Sequence, residues 1–234
     1  MELVGPVVDD RSPTRSAEIH RRLRAAILTG EHAPGDALPS ERRLSEDLGA
    51  SRHAVREALK RLQQAGLVAI SQGGATRVRD WRHHGGLELL LALGADGDAP
   101  AGLGLERDAL EMRASVGADA ARLCARRADD ALRAELVARA AALAAADDPA
   151  ARLASYDALW DRIVDGAGNL AYRLALNTLV AGQRVLALDA SVVGAVLADP
   201  AAVRALAAAI AAGDEAAAHG AARALLDRSV PSEM

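Results

Sequence analysis

The sequence predicts a mainly α-helical protein in two parts: a small N-terminal module of three helices with a β-hairpin wing, then a C-terminal antiparallel α-helical bundle. Three observations predict it. Charge is unevenly divided, +6 over residues 11–79 and −7 over residues 80–234. Glycine and proline punctuate the first third, whereas an Ala-rich helical pattern runs from residue 105 almost to the end. Two-residue apolar alternation follows only one helical stretch, just after Gly66. These divide the chain into a module over 11–80, a linker over 81–104 containing the Gly-, Ala- and Pro-rich "GADGDAPAGLG", and a bundle over 105–230.

The first helix is read from Ile19, Leu23, Ala26 and Ile27, which share one face and stop at Gly30. "APGDALPS" forces an extended connection. Ser40 can then cap a second helix whose Leu44 and Leu48 point inward and which Gly49 can end in the left-handed conformation. Ser51 caps a third helix with Val55, Leu59 and Leu62 as its buried stripe and Gly66 at its end. Two short helices joined by "GAS" match a helix-turn-helix.

On the third helix Arg52, His53, Arg56 and Lys60 lie beside or opposite the apolar stripe. A solvated face accounts for cations at this spacing, and so does contact with DNA: the first turn of such a helix enters a major groove, where Arg can bond guanine O6 and N7 together. The residues that follow favour DNA. Val68 and Ile70 alternate, a Gln72-Gly73-Gly74-Ala75 turn follows, and Thr76 and Val78 alternate on the return. Such a hairpin, with Arg77 beside its glycine tip, can lie against a phosphate backbone or reach into the minor groove. The module is thus read as a winged helix-turn-helix, with double-stranded DNA as partner.

Helices are expected over 105–128, 130–146, 149–168, 170–197, 199–212 and 214–228, with Pro149 and Pro200 in first turns after Asp148 and Asp199. Apolar residues make up 51% and aromatics 2%, without a single Phe, so the core must be built from Ala, Leu and Val. No run of 18 apolar residues occurs, and "MELVGPVVDD" lacks the basic and apolar regions of a secretion signal, so a cytoplasmic protein without membrane contact is expected. Cys124, the single cysteine, reads as a small packed residue. No Ser, His and Asp set or His cluster occurs in the bundle, so no catalytic residues and no enzyme activity are expected.

The stretch "ILTGEHAPGDALPSERRLSEDLGASRHAVREALKRLQQAGLV" strongly resembles the DNA-binding domain of the GntR family of bacterial transcription regulators. The resemblance implies DNA contacts at Arg42, Ser51, Arg52, His53, Arg56, Gln72 and Gly73, and a homodimer on a pseudo-palindromic operator. His53 departs from the Thr or Pro more usual at its place. "LEMRASVGADAARLCARRA" and "SYDALWDRIVDGAGN" resemble the FCD-type ligand-binding domain of the FadR branch, resting on Arg113, Asp157, Trp160, Asn169 and "AIAAGD".

Many members of that branch hold a metal with an Asp and three His. Here Asp157 matches the carboxylate, but Asp161, Val203 and Leu225 occupy the other places, so no metal and no cofactor are expected. Fatty-acyl-CoA-responsive FadR proteins also lack the metal, and "RDWRHHGGLELLLAL" is similar to their linker. The resemblance therefore implies a repressor with a small acidic effector, an acyl-CoA or fatty acid, at Arg113, Asp157, Trp160 and Asn177. A small carboxylate is the alternative effector. A helical-bundle enzyme or scaffold with an incidental winged domain is the alternative of another class. For Arg113 a helix-surface or core ion pair, and for Asp157 and Asp161 a solvated or Arg-paired helix face, are the plain structural readings.

Overall fold

The computed structural model describes residues 14–71, 74–89, 104–185, 194 and 197–230. It forms two compact units, Met1–Gly102 and Leu103–Met234. Among the described residues no helix is long and apolar enough to cross a membrane.

In the first unit the helices are α1 (Arg15–Leu28), α2 (Glu41–Leu48) and α3 (Arg52–Gln64). Each starts where a hydroxyl side chain accepts a backbone N–H: Thr14 from Ala17, Ser40 from Arg43 and Ser51 from Ala54. Ile19, Leu23 and Ile27 of α1 pack with Val55, Ala58, Leu59 and Leu62 of α3, all buried. Gly49 closes α2 at φ +57°, a left-handed conformation that turns the chain within three residues into α3.

The wing is shorter than its alternation suggests. β1 (Val68–Ala69) pairs antiparallel with β2 (Arg77–Val78), Val68 opposite Val78 and Ala69 opposite Arg77. Ile70 lies outside the ladder and is exposed, so the expected alternation of Val68 with Ile70 fails after one residue. Thr76 lies outside β2, and its carbonyl accepts the N–H of Leu38. The connection from α1 to α2 thus serves as a third edge, with Ala37 bridged to Arg77 and the Val78 N–H donated to Asp36. A short helix, α4 (Trp81–His84), follows, and Leu89 is buried; residues 81–89 therefore pack as part of this unit.

The second unit holds α5 (Leu105–Arg127), α6 (Asp130–Ala145), α7 (Pro149–Gly166), α8 (Leu170–Val185), α9 (Pro200–Ala211) and α10 (Glu215–Asp227). Asp129, Asp148, Asp199 and Asp214 cap four of them, and Pro149 and Pro200 stand in first turns. The part of the expected 170–197 helix over 186–193 lies outside the described residues. α5 and α10 make the most extensive contact. Many of their buried residues are small, Ala114, Ala118, Ala121 and Ala125 on α5 and Ala218 and Ala222 on α10, with Gly117 beneath Leu226, which lets the two helices pack closely. Leu136, Leu143, Leu159, Ile163, Leu206 and Ile210 fill the rest of the core without Phe. Cys124 is buried there, and burial pushes its thiol up to about 11.

Candidate nucleic-acid interface and ligand cavity

Burying Val55, Leu59 and Leu62 turns the other face of α3 outward. Arg52, His53, Arg56 and Lys60 are all exposed there, and Ser51 is exposed at the cap. Among the described residues Arg52 and His53 make no ion pair, whereas Arg56 is bound by Glu41 and Lys60 by Glu57. Arg42 projects from α2 and meets Glu46 one turn on, at 3.2 Å. Arg77 is exposed on the wing strand, its backbone is bridged to Ala37, and its guanidinium donates from Nη1 to the Gly35 carbonyl at 2.9 Å, which ties the side chain to the extended connection. Gln72 and Gly73 lie outside the described residues. One surface of this unit therefore carries Arg52 and His53 in the first turn of α3, where the helix dipole adds its attraction for anions, and Arg56 one turn further on.

The second unit contains a cavity of about 290 Å³ between α5, α7, α8 and α10. Arg113, Asp157, Trp160 and Asn177 all line it, together with Tyr156, Asp161 and Arg173, which the sequence did not single out as ligand contacts. Its apolar wall is Val164, Leu176, Val180, Ala181 and Leu226. Gly117 shapes the floor, since a Cβ there would meet Leu226 Cδ1 at 2.6 Å and the Trp160 ring at 3.5 Å.

The polar groups differ in how far the protein satisfies them. Arg113 donates to the Tyr156 hydroxyl at 3.4 Å and makes no ion pair among the described residues, so the ion-pair reading of Arg113 fails there. The Trp160 indole N–H is buried and makes no well-formed hydrogen bond among the described residues, although it lies near enough to Tyr156 to help lower that phenol's pKa, and its ring stands edge-on to Tyr156 at 6.3 Å between centroids. Burial raises the Tyr156 phenol pKa, with Arg113 opposing, so the hydroxyl stays protonated. Arg173, by contrast, is committed to Asp161 at 2.9 Å and to Asp165 at 2.6 Å. Asn169 is a capping residue: its Oδ1 accepts from Ala171 and Tyr172 at the start of α8.

Residues 15–78 match the model of the family described as "Bacterial regulatory proteins, gntR family", and residues 108–228 match that of the FCD domain. The chain belongs to the GntR family. It is a DNA-binding transcription regulator of the GntR/FCD type. The HTH-type transcriptional regulator Mce2R of Mycobacterium tuberculosis is 41% identical over 219 residues, covering 93% of this chain and 90% of that protein. A fatty acid metabolism regulator protein of Shewanella halifaxensis is 32% identical over 175 residues, covering 73% of this chain and 69% of that one. Among solved structures a Streptococcus agalactiae GntR protein aligns at 25% identity over 91% of this chain and 97% of its own, with a TM-score of 0.45.

Among the described residues of this GntR/FCD chain, those at the expected ligand positions do not fit a divalent metal. Asp161 is held by Arg173, Val203 and Leu225 are buried in the hydrophobic core, and among the described residues no three His, Cys, Asp or Glu side chains gather to hold an ion. Sequence reasoning missed Glu41, whose partner Arg56 lies 15 residues away, and Arg173 and Tyr156. Glu41 reads locally as an ordinary first-turn acid, and the one available signal was its place directly before Arg42 in the Leu-Pro-Ser-Glu-Arg motif.

Proposed function

We propose that this regulator is a cytoplasmic repressor that binds a pseudo-palindromic operator as a homodimer and leaves it when a small acidic effector with an apolar body enters the FCD domain. The working parts are a DNA-binding domain over 11–80, the connecting segment 81–104, of which 81–89 pack with that domain, and an effector and dimerisation domain over 105–230. Arg52, His53 and Arg56 read base edges from α3, Ser51 and Arg42 fix register, and Gln72, Gly73 and Arg77 hold the wing to the backbone or minor groove. The outward cation face of α3 carries this half of the reading.

The observation that carries the effector half is the cavity, where Arg113, without an ion pair among the described residues, stands beside an apolar wall. The Arg113 guanidinium donates hydrogen bonds and carries positive charge, so the complementary ligand presents acceptors, as a carboxylate or thioester does. Asn177 stands among the lining residues and Asp157 supplies the opposite charge. An acyl-CoA or fatty acid is the first choice, supported by the fatty acid metabolism regulator among the relatives. The cavity volume favours a second reading, a small carboxylate, because about 290 Å³ lies at the lower end of the range for small-molecule sites.

The test is operator release. Duplex DNA from upstream of the regulator's own gene is bound, then titrated with long-chain acyl-CoA, free fatty acid and short carboxylates. Acyl-CoA is expected to release the DNA. Arg113→Ala is expected to abolish release while leaving ligand-free DNA affinity unchanged, since a ligand shifts the equilibrium only by its differential affinity for the two states. Release by a short carboxylate alone selects the second reading; release by none of them overturns the effector assignment.

A further inference from the structure

Among the described residues one ion pair joins α2 to α3, and it involves a proposed DNA contact. Glu41 is the first residue of α2, and Arg56 stands in the second turn of α3. The neighbouring pairs Arg42–Glu46, Arg43–Asp47 and Lys60–Glu57 all stay within one helix turn. Arg56 donates Nε to Glu41 Oε2 and Oε1, at 3.2 and 3.3 Å, and Nη2 to Oε2 at 2.8 Å. The side edge of the guanidinium is therefore occupied. Nη1 makes no hydrogen bond among the described residues, so the end-on edge, formed by Nη1 and the second Nη2 hydrogen, remains as two parallel donors.

The pair sits at the surface, with side-chain exposures of 56% for Arg56 and 37% for Glu41, so a duplex can reach it. Arg52 adds to the positive field on Glu41, whose carboxyl is held below its usual range chiefly by the hydrogen bond from Arg56. Such an exposed pair contributes little to folding stability. Its consequence is orientational: a long Arg side chain free in solution loses rotamer entropy when it docks, and a carboxylate that already fixes the guanidinium plane reduces that loss.

We propose that Glu41 is a positioning residue that presents the end-on edge of Arg56 to one guanine, so that Glu41 governs preference at one base pair in each half-site. The inference rests on α3 being the reading helix. A carboxylate near phosphates weakens binding to every sequence, so its gain lies in discrimination rather than affinity.

The experiment uses the full-length protein as wild type, Glu41→Gln, Arg56→Ala and Arg56→Lys. Preferred sites are selected from randomised duplexes, and anisotropy titrations then compare the best duplex with each single-base variant. Glu41→Gln is expected to unfold at the wild-type temperature and to bind random duplex no more weakly. Its guanine preference should fall about tenfold at one position per half-site. Arg56→Ala and Arg56→Lys, the latter keeping the charge without the fork, should lose preference at that same position. The proposal is overturned if Glu41→Gln keeps every preference, or if it raises affinity for all duplexes alike with preferences intact. If Arg56→Ala also keeps every preference, the assignment of Arg56 as a DNA contact fails as well, which separates the two failures.

Discussion

Replacing Gly66 by Ala should damage the N-terminal unit far more than its small size suggests. Gly66 follows α3 at φ +74°, and a Cβ built there lies 2.1 Å from the His84 carbonyl oxygen and 2.6 Å from its carbon. Both neighbours are backbone and cannot rotate away, so α4 must move. Gly49 offers the matched control: its φ of +57° is also left-handed, but the nearest atom a Cβ would meet is Arg15 Nη2 at 4.0 Å. The conformation alone costs an L-residue about 1–2 kcal/mol, and the lower unfolded-state entropy of Ala returns about 0.4–1 kcal/mol. Gly49→Ala should therefore lose about 0–1.6 kcal/mol, centred near 1. Gly66→Ala adds backbone displacement and should lose about 3 kcal/mol or more. Urea unfolding can be followed through Trp81 in a Trp160→Phe background, since those are the two tryptophans of the chain. With a slope of about 1 kcal/mol per molar for a small module, the midpoint should fall by about 3 M for Gly66→Ala and about 1 M for Gly49→Ala. Equal shifts for the two would refute the argument from the His84 contact.

Three further outcomes are expected. Cys124, with its thiol pushed up to about 11 in a buried site, should resist a thiol reagent in the native state and react fully on unfolding; at pH 8 only roughly one thiol in a thousand is ionised. Prompt labelling of native protein would contradict this. Glu135, paired with Arg162 at 2.8 Å and Arg139 at 2.7 Å, has its carboxyl lowered from 4.5 to about 2, principally by Arg162. Because the folded value is the lower one, its stabilisation is complete above pH 4.5 and disappears as pH falls towards about 2, so the difference in melting temperature between wild type and Glu135→Gln should narrow across that window. Arg77→Ala should weaken binding to all duplexes alike and reduce the salt slope by about 1, whereas a change confined to one base position would place Arg77 among the base readers.

Local chemistry made most of the fold legible. Ser40 and Ser51 were readable as caps, and Pro149 and Pro200 as first-turn residues, because such signals depend on a few adjacent residues; Asp148 and Asp199 directly before the prolines also accept a backbone N–H. The apolar stripe of α3 was readable because helical periodicity is local as well. What escaped depends on chain segments meeting at long range. Ala37 joins the wing from about 40 residues upstream of Arg77, and with that edge supplied by the connection the strands themselves need only two residues each. Ile70 looked like a strand residue from alternation alone, but among the described residues it lies outside the ladder. In the cavity, Arg113, Asp157, Trp160 and Asn177 came from motif likeness, and the structure brings all four to one wall-lined space. Arg173 was invisible because its partners Asp161 and Asp165 stand on a different helix. Composition hinted at the Ala-packed α5–α10 contact without identifying which helices would meet.

The central claim, that the outward face of α3 reads operator DNA, is tested most directly by comparing wild type with Arg52→Ala on a duplex selected from a random library. Arg52 is exposed and, among the described residues, without an ion pair, so Ala should leave the fold intact. The account predicts a selected site with twofold symmetry and a loss of about tenfold or more in specific affinity for Arg52→Ala, with affinity for random duplex changed far less. Unchanged affinity of Arg52→Ala for the selected site would contradict it.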